Sequence, residues 1–272
     1  MKRKIKKALL NCLLTSRELE KIQSPKIEFP GGIMPINNTH EDDVFIVGYP
    51  KSGNTLMQHL ISHLVYGFNQ EASRTMVNLI VPDIYANSYY FRFNERCYFK
   101  SHDLPKPEYK KVIYIMRDGR DALLSFYHMR KNMGKPLHID DLYSGKVKFR
   151  NATWSEHIEH WEKNPFEADI LWIKFENLKT NKKEELKRIC EFLNISRSET
   201  DLEDVMKFTS LEHMRALEKR KDWARMKKVT NFNDGSFVGK GKIKSYTEEV
   251  SQDAIKSFEF ISEKMLKKHY HL

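Results

Sequence analysis

The sequence predicts an α/β fold: a single domain with a central parallel sheet flanked by helices and a P-loop-like phosphate-binding loop. Three observations predict it. Four short apolar runs of strand character alternate with stretches of helical periodicity, as in a helix-covered parallel sheet. The first of these runs passes through a Gly- and Ser-bearing loop straight into a helix. Polar residues follow three of the runs, at the carboxyl ends of the predicted strands, where open parallel sheets bind their ligands.

The first run is Val44 to Val47, read as a short buried strand. Gly48 to Asn54 make a turn, and Leu56, Leu60, Ile61, Leu64 and Val65 then recur at helical spacing. Loop amides and the helix N-terminus converge on one spot that favours an anion. A nucleotide-triphosphate loop reads G-x-x-x-x-G-K-[ST]. Gly48, Gly53 and Thr55 occupy those places, but Asn54 stands where the lysine belongs and Lys51 lies inside the loop. A cation there still reaches a bound phosphate, with a geometry unlike that of an ATPase. The plain alternative is a tight strand-to-helix turn with a surface lysine.

Residues 1–40 are read as a basic N-terminal helix and an extended lead-in carrying Pro25, Pro30 and Pro35, and residues 41–272 as the domain proper. The stretch Gly67 to Arg96 is irregular and aromatic-rich, including Tyr85, Tyr89 and Tyr90; an aromatic-lined pocket and ordinary core packing both fit it. Arg96 to Lys100 is the second strand, ending in Ser101-His102-Asp103-Leu104-Pro105. Val112 to Met116 is the third, ending in Arg117, with Asp118 or Asp121 capping the helix that follows. Asn132 to Asn151 reads as a long loop and candidate lid. Glu156, His157, Glu159 and His160 have helical spacing and are expected on a solvated face beside Trp154 and Trp161, with no metal. Ile170 to Phe175 is the fourth strand, followed by a helix from Lys182 to Phe192. Arg215 to Lys228 is dense in Lys and Arg, either a solvated face or a cover over a cofactor. A second Gly/Lys-rich loop lies between Asn231 and Tyr246, and a last helix runs from Ser251 to Lys268.

The net charge of +10 and sequence pI near 9.3 suggest an anionic partner: nucleic acid, a membrane surface or a phosphorylated cofactor. No nucleic-acid reader motif is present and the charge is spread over many segments, so nucleic acid is not expected as a partner. The basic N-terminal helix is placed either against the domain or in weak contact with a membrane surface. Cys12, Cys97 and Cys190 show no metal-ligand spacing, which favours a reducing, cytoplasmic setting. No apolar run is long enough to span a bilayer. Asn11 interrupts the short apolar stretch near the start, and no A-x-A-like cleavage site follows.

Taken together, four motifs resemble those of the sulfotransferase family in its cytosolic type. Tyr49-Pro-Lys-Ser-Gly-Asn-Thr-Leu56 resembles the loop that binds the 5′-phosphosulfate end of the donor. Lys100-Ser-His102 resembles the segment with the catalytic histidine, and Arg117 to Ser125 resembles the second signature, whose Arg and Ser hold the 3′-phosphate. Phe237-Val238-Gly239-Lys240-Gly241 opens a stretch similar to the last signature, R-K-G-x-x-G-x-W. The resemblance implies transfer of a sulfuryl group from 3′-phosphoadenosine 5′-phosphosulfate (PAPS), leaving PAP, to a hydroxyl or amine of a small organic acceptor of hydrophobic or aromatic character. It implies His102 as base, with Lys51 and Lys100 stabilising charge, and no metal. It implies donor contacts from Lys51, Ser52, Gly53, Asn54, Thr55, Leu56, Arg117, Ser125, Phe175, Thr209, Leu211 and the Phe237–Gly241 stretch.

The chain departs from the family pattern in places. Leu56 stands where Trp is frequent, Leu211 where Phe is, and Phe175 where Tyr is, which implies an adenine slot with less aromatic contact. Gly239 and Lys244 replace an Arg and a Gly of the last signature, so a neighbour such as Lys242 would supply a 3′-phosphate contact. The family's C-terminal dimer motif is not recognisable after Lys244, so no oligomeric state is read from the sequence. The competing reading is a P-loop nucleotide kinase; Asn54 and the lack of a clear metal-holding carboxylate argue against it.

Overall fold

The computed structural model describes residues 32–68, 70–92, 94–220, 238 and 241–270. Strand β1 (Ile33–Pro35) leads to β2 (Val44–Val47) and helix α1 (Asn54–Tyr66). Helix α2 (Arg74–Ile80), β3 (Tyr89–Phe91), β4 (Tyr98–Ser101) and β5 (Lys111–Met116) follow. Next come α3 (Gly119–Asn132), α4 (Ile139–Tyr143), α5 (Trp154–Lys163), β6 (Asp169–Lys174) and α6 (Phe175–Thr180). The chain ends in α7 (Lys182–Leu193), α8 (Glu199–Phe208), α9 (Leu211–Glu218), α10 (Tyr246–Glu249) and α11 (Gln252–Tyr270).

The main sheet is parallel, in the order β4-β2-β5-β6. Every residue of β2 is buried, as an apolar run in a sheet covered on both faces should be. The alternation of side chains divides the core. Phe45, Val47, Val112, Tyr114 and Met116 face the layer that includes α3, α5 and α11. Val44, Ile46, Ile113 and Ile115 face the layer of α1, α7 and α8. This arrangement brings the loops after β2, β4, β5 and β6 to one edge. It is the predicted fold.

Several local expectations change. The irregular stretch before Arg96 contains α2, whose Ser73 cap accepts from the Met76 amide and whose Val77 packs in the core, and β3, which pairs antiparallel with β1. The candidate lid contains α4, anchored because Leu142 and Tyr143 are buried against the helices of the first layer. The strand starting at Arg96 begins at Tyr98, and Phe175 opens α6 instead of ending β6. Helices α8 and α9 add to the predicted elements, α8 starting at a capping box formed by Ser198 and Asp201. The N-terminal helix, most of the Lys/Arg-rich run and Phe237, Gly239 and Lys240 lie outside the described residues.

Candidate active site

The cradle turns sharply because nothing larger than glycine fits. A Cβ on Gly48 would stand 2.4 Å from the Ile115 carbonyl oxygen. Lys51 (φ 68°) and Gly53 (φ 109°) adopt left-handed backbone and fold the loop onto the start of α1. Asn54, in the place of the missing lysine, is buried and braces the loop from inside. Its Nδ2 donates to the carbonyls of Tyr49 (3.0 Å) and Gly48 (3.4 Å). Helix α1 begins here, and the first amides of a helix have no acceptor within it. Thr55 and Leu56 are half-buried in this first turn, Leu56 against the second core layer.

Arg117 ties the cradle to the last loop. Its guanidinium donates to the Lys51 carbonyl (3.2 Å) and to the Lys242 carbonyl (3.2 Å), and lies 4.7 Å over the Phe175 ring. Phe175 also closes the cradle from below, since a Cβ on Gly53 would meet its ring at 2.7 Å. Asp121 fixes the last loop by accepting from the amides of Lys244 (2.7 Å) and Tyr246 (3.3 Å). Gly241 approaches Leu211, and the Val238 amide donates to Glu218 (3.0 Å). Thr209 is buried, its hydroxyl donating back to the Val205 carbonyl. Ser125 is half-buried in α3, about two turns beyond the Asp118 cap.

Cationic groups crowd this edge. Burial, then the nearby charges of Arg117 and Lys100, pull the Lys51 ammonium down to about 8 against the opposing Glu218. Burial lowers Arg117 as well, although Asp121 and Glu176 oppose it. Ser52 Oγ and Arg117 Nε are buried donors with no partner among the described residues. Such orphans cost about 1–3 kcal/mol each unless an acceptor meets them. A bound phosphosulfate anion has the acceptor oxygens and the charge to do so, so the residues present fit that group.

His102 faces the cradle from the end of β4. Its Nδ1 lies 2.7 Å from the Gly48 carbonyl, so Nδ1 carries the proton and donates. Nε2 therefore keeps its lone pair. Burial and then Lys100 pull its pKa to about 4, and the opposing Asp83 and the Gly48 bond do not offset them, so the ring is neutral at pH 7. Lys100 is tethered by Asp83 at 2.6 Å. Burial alone would raise Asp83, but Lys100 and His102 hold it at about 2. Tyr85 stacks 6.0 Å from the His102 ring at an interplanar angle of 9°, and Phe149 meets that ring edge-on at 5.9 Å.

The expectation for the Glu156–His160 face needs correction. His157 is fully buried: Nε2 donates to the His102 carbonyl (3.2 Å) and Nδ1 accepts from the Tyr114 hydroxyl (2.7 Å). It holds the segment that carries His102. No cluster of metal-binding side chains occurs among the described residues. Burial pulls His157 to about 4. Unfolded histidine titrates near ~6.5. Between these values the unfolded chain holds more protons, so stability is full above pH 6.5 and falls as pH drops toward 4. His102 and His157 should each cost about 2 kcal/mol by pH 5. Urea midpoints measured at pH 7, 6 and 5 are expected to decrease, and less steeply in His157→Gln. A midpoint constant over this range would contradict the assignment.

A family model for the sulfotransferase domain matches residues 41–269. The chain belongs to the sulfotransferase family. This sulfotransferase is 28% identical over 197 residues to mouse sulfotransferase 1B1, across 64% of this chain and 65% of that relative. It is 24% identical over 250 residues to rabbit amine sulfotransferase, across 84% of this chain and 81% of the relative. Among solved structures, a mouse sulfotransferase complexed with PAP is similar with a TM-score of 0.63 at 20% identity, over 85% of this chain and 86% of the other. A retinol dehydratase in complex with androsterone and PAP is similar with a TM-score of 0.66 at 18% identity, over 85% and 82%. At these identities the structural likeness establishes the fold of this sulfotransferase, and its own side chains must carry the chemistry. Asp83, Tyr85, Asp121, Phe149 and His157 join the site only through the tertiary structure. Only the E-H-I-E-H run and the aromatic stretch gave any signal for two of them.

Proposed function

We propose that this sulfotransferase moves a sulfuryl group from PAPS to a hydroxyl or amine of a small, partly aromatic acceptor, with His102 as general base. The observation that carries the reading is the pairing of His102 Nδ1 with the Gly48 carbonyl, which directs a neutral, proton-accepting Nε2 at the edge where the cradle ends. Bound PAPS supplies an electrophilic sulfur and a phosphate leaving group. His102 Nε2 takes the acceptor proton as the acceptor oxygen or nitrogen attacks, help worth about 10²–10⁴-fold. Lys51 supplies positive charge where the leaving phosphate gathers negative charge, and Lys100, held by Asp83, adds to the field from the neighbouring strand. Amides at the start of α1, with Ser52 and Thr55, hold the 5′-phosphate. Arg117 and Ser125 hold the 3′-phosphate, with the Lys242 loop alongside. Leu56, Phe175, Thr209, Leu211, Val238 and Gly241 line the nucleotide side.

No helix among the described residues is long and apolar enough to cross a membrane, and a zebrafish relative is named cytosolic sulfotransferase 1. A cytosolic site of action accords with that relative's name. The full chain incubated with sulfur-labelled PAPS and a panel of phenols, alcohols and amines should pass label to at least one acceptor. Calorimetry should show PAP binding without added metal. A chain that does not bind PAP would overturn the reading.

A further inference from the structure

Beyond the donor side, the structure carries a cation against the rings that flank His102, a placement the transfer chemistry does not require. Phe149 and Ala152 exchange both backbone hydrogen bonds, N to O at 2.9 Å and 3.0 Å, across Arg150 and Asn151. Both intervening residues have positive φ, 50° and 64°. This is a two-residue hairpin turn of the type with left-handed backbone at both central positions, which Asn and Gly suit. Asn151 fits. Arg150 does not, and a left-handed non-glycine residue costs about 1 kcal/mol or more.

The turn sets the Arg150 guanidinium 3.8 Å over the Tyr85 ring and 5.9 Å from the Phe149 ring. Those two rings are the ones that flank His102. Tyr85 is a fixed platform: its hydroxyl donates to Asp103 and accepts from the His102 amide at 3.3 Å. Arg150 is exposed, and no carboxylate among the described residues pairs with it. The neighbouring acids are taken: Asp141 pairs with Lys146, Glu156 with Lys148 and Asp103 with Lys106. The Tyr85 ring is thus in contact with both the His102 imidazole and the Arg150 guanidinium.

Resting on the sulfotransferase reading above, we infer that Arg150 is a specificity-determining residue and that the acceptor carries an oxyanion, such as a carboxylate, across an aromatic ring from the group that is sulfated. The aromatic body lies among Tyr85 and Phe149, the hydroxyl reaches His102, and the oxyanion meets the guanidinium in charge-assisted hydrogen bonds. An exposed ion pair is weak in water, but the fork geometry and flanking rings strengthen it, so a discrimination of about tenfold is expected.

The test is a ratio of kcat/KM values. The full-length protein is assayed with 4-hydroxyphenylacetate and with its isosteric neutral amide, 4-hydroxyphenylacetamide; 4-hydroxyphenyl phosphate serves as a second oxyanion to separate carboxylate from phosphate selection. Wild type should favour the acid over the amide by about tenfold. Arg150→Asn, in which the new residue suits the left-handed turn, should bring the ratio close to one, and Arg150→Asp should shift preference toward the cationic phenol tyramine. The ratio cancels any general loss of activity. Melting temperature and PAP affinity of Arg150→Asn are measured alongside, so that a misfolded variant is recognised and replaced by Arg150→Gln. A wild-type preference for the amide, or an acid-to-amide ratio that survives removal of the guanidinium, overturns the inference. Failure of PAP to bind wild type overturns instead the reading on which it rests.

Discussion

Replacing His102 by alanine is expected to lower kcat by about 10²–10⁴-fold while PAP affinity stays close to that of wild type. The loss follows from where the imidazole sits. Its Nδ1–H is committed to the Gly48 carbonyl, so only Nε2 can accept the acceptor proton. Its pKa near 4 keeps it unprotonated at pH 7, although a base that weak in the free protein gives little driving force. Bound donor anion opposes Lys100 and should raise that value toward the working range, so the acidic limb of kcat should lie at higher pH than that of kcat/KM. Donor binding is spared because the cradle is built from Gly48 to Thr55 and Arg117, and the Gly48 carbonyl that loses the His102 bond keeps the Asn54 amide at 3.4 Å. Single-turnover transfer and calorimetric PAP binding, measured on the same preparation, check both halves. A variant retaining more than about a tenth of wild-type kcat would remove His102 from the role of base.

The second large effect is expected from Lys51→Met, a loss of about 10²–10³ in kcat together with weaker PAP binding. Lys51 is the loop's own cation, on left-handed backbone, and methionine keeps the length without the charge. Burial and the neighbouring Arg117 and Lys100 already strain the ammonium, lowering it to about 8. The free protein therefore has Lys51 charged below pH 8 and increasingly neutral above it. A donor anion binds the charged form, so kcat/KM should be full below about pH 8 and fall above it, and PAP binding should take up a proton in that range. Lys51→Met should lack that alkaline limb. An unchanged alkaline limb in the variant would assign the titration to another group.

What could be seen in advance was whatever local pattern encodes. The Val44–Val47 run, the helical spacing after Leu56 and the position of His102 after a strand are short-range features, and the fold and the resemblance followed from them. His157 is hidden from a local reading because Glu156 and His160, both charged or polar, flank it on its helix. Its burial is imposed by Tyr114 and by the His102 carbonyl, 43 and 55 residues away. Asp83 carried no signal at all, since a lone acid in an irregular stretch acquires meaning only when an isolated bridge places it beside Lys100. The aromatic stretch before Arg96 divides in the structure: Tyr90 packs in the core, whereas Tyr85 stands beside His102.

By itself, then, the sequence determined the order of the four strands of the parallel sheet, the loop with Lys51 inside it, and the family. Each of these depends on residues within a few positions of one another, where periodicity and turn chemistry act. Only the tertiary structure decided that Arg117 bridges the Lys51 and Lys242 carbonyls, that Asn54 braces the loop from inside, that His157 supports His102, and that Arg150 lies over Tyr85. These are pairings between distant segments. They arise because a parallel sheet gathers its strand ends at one edge, where burial leaves polar groups no water and each must find its partner in another part of the chain.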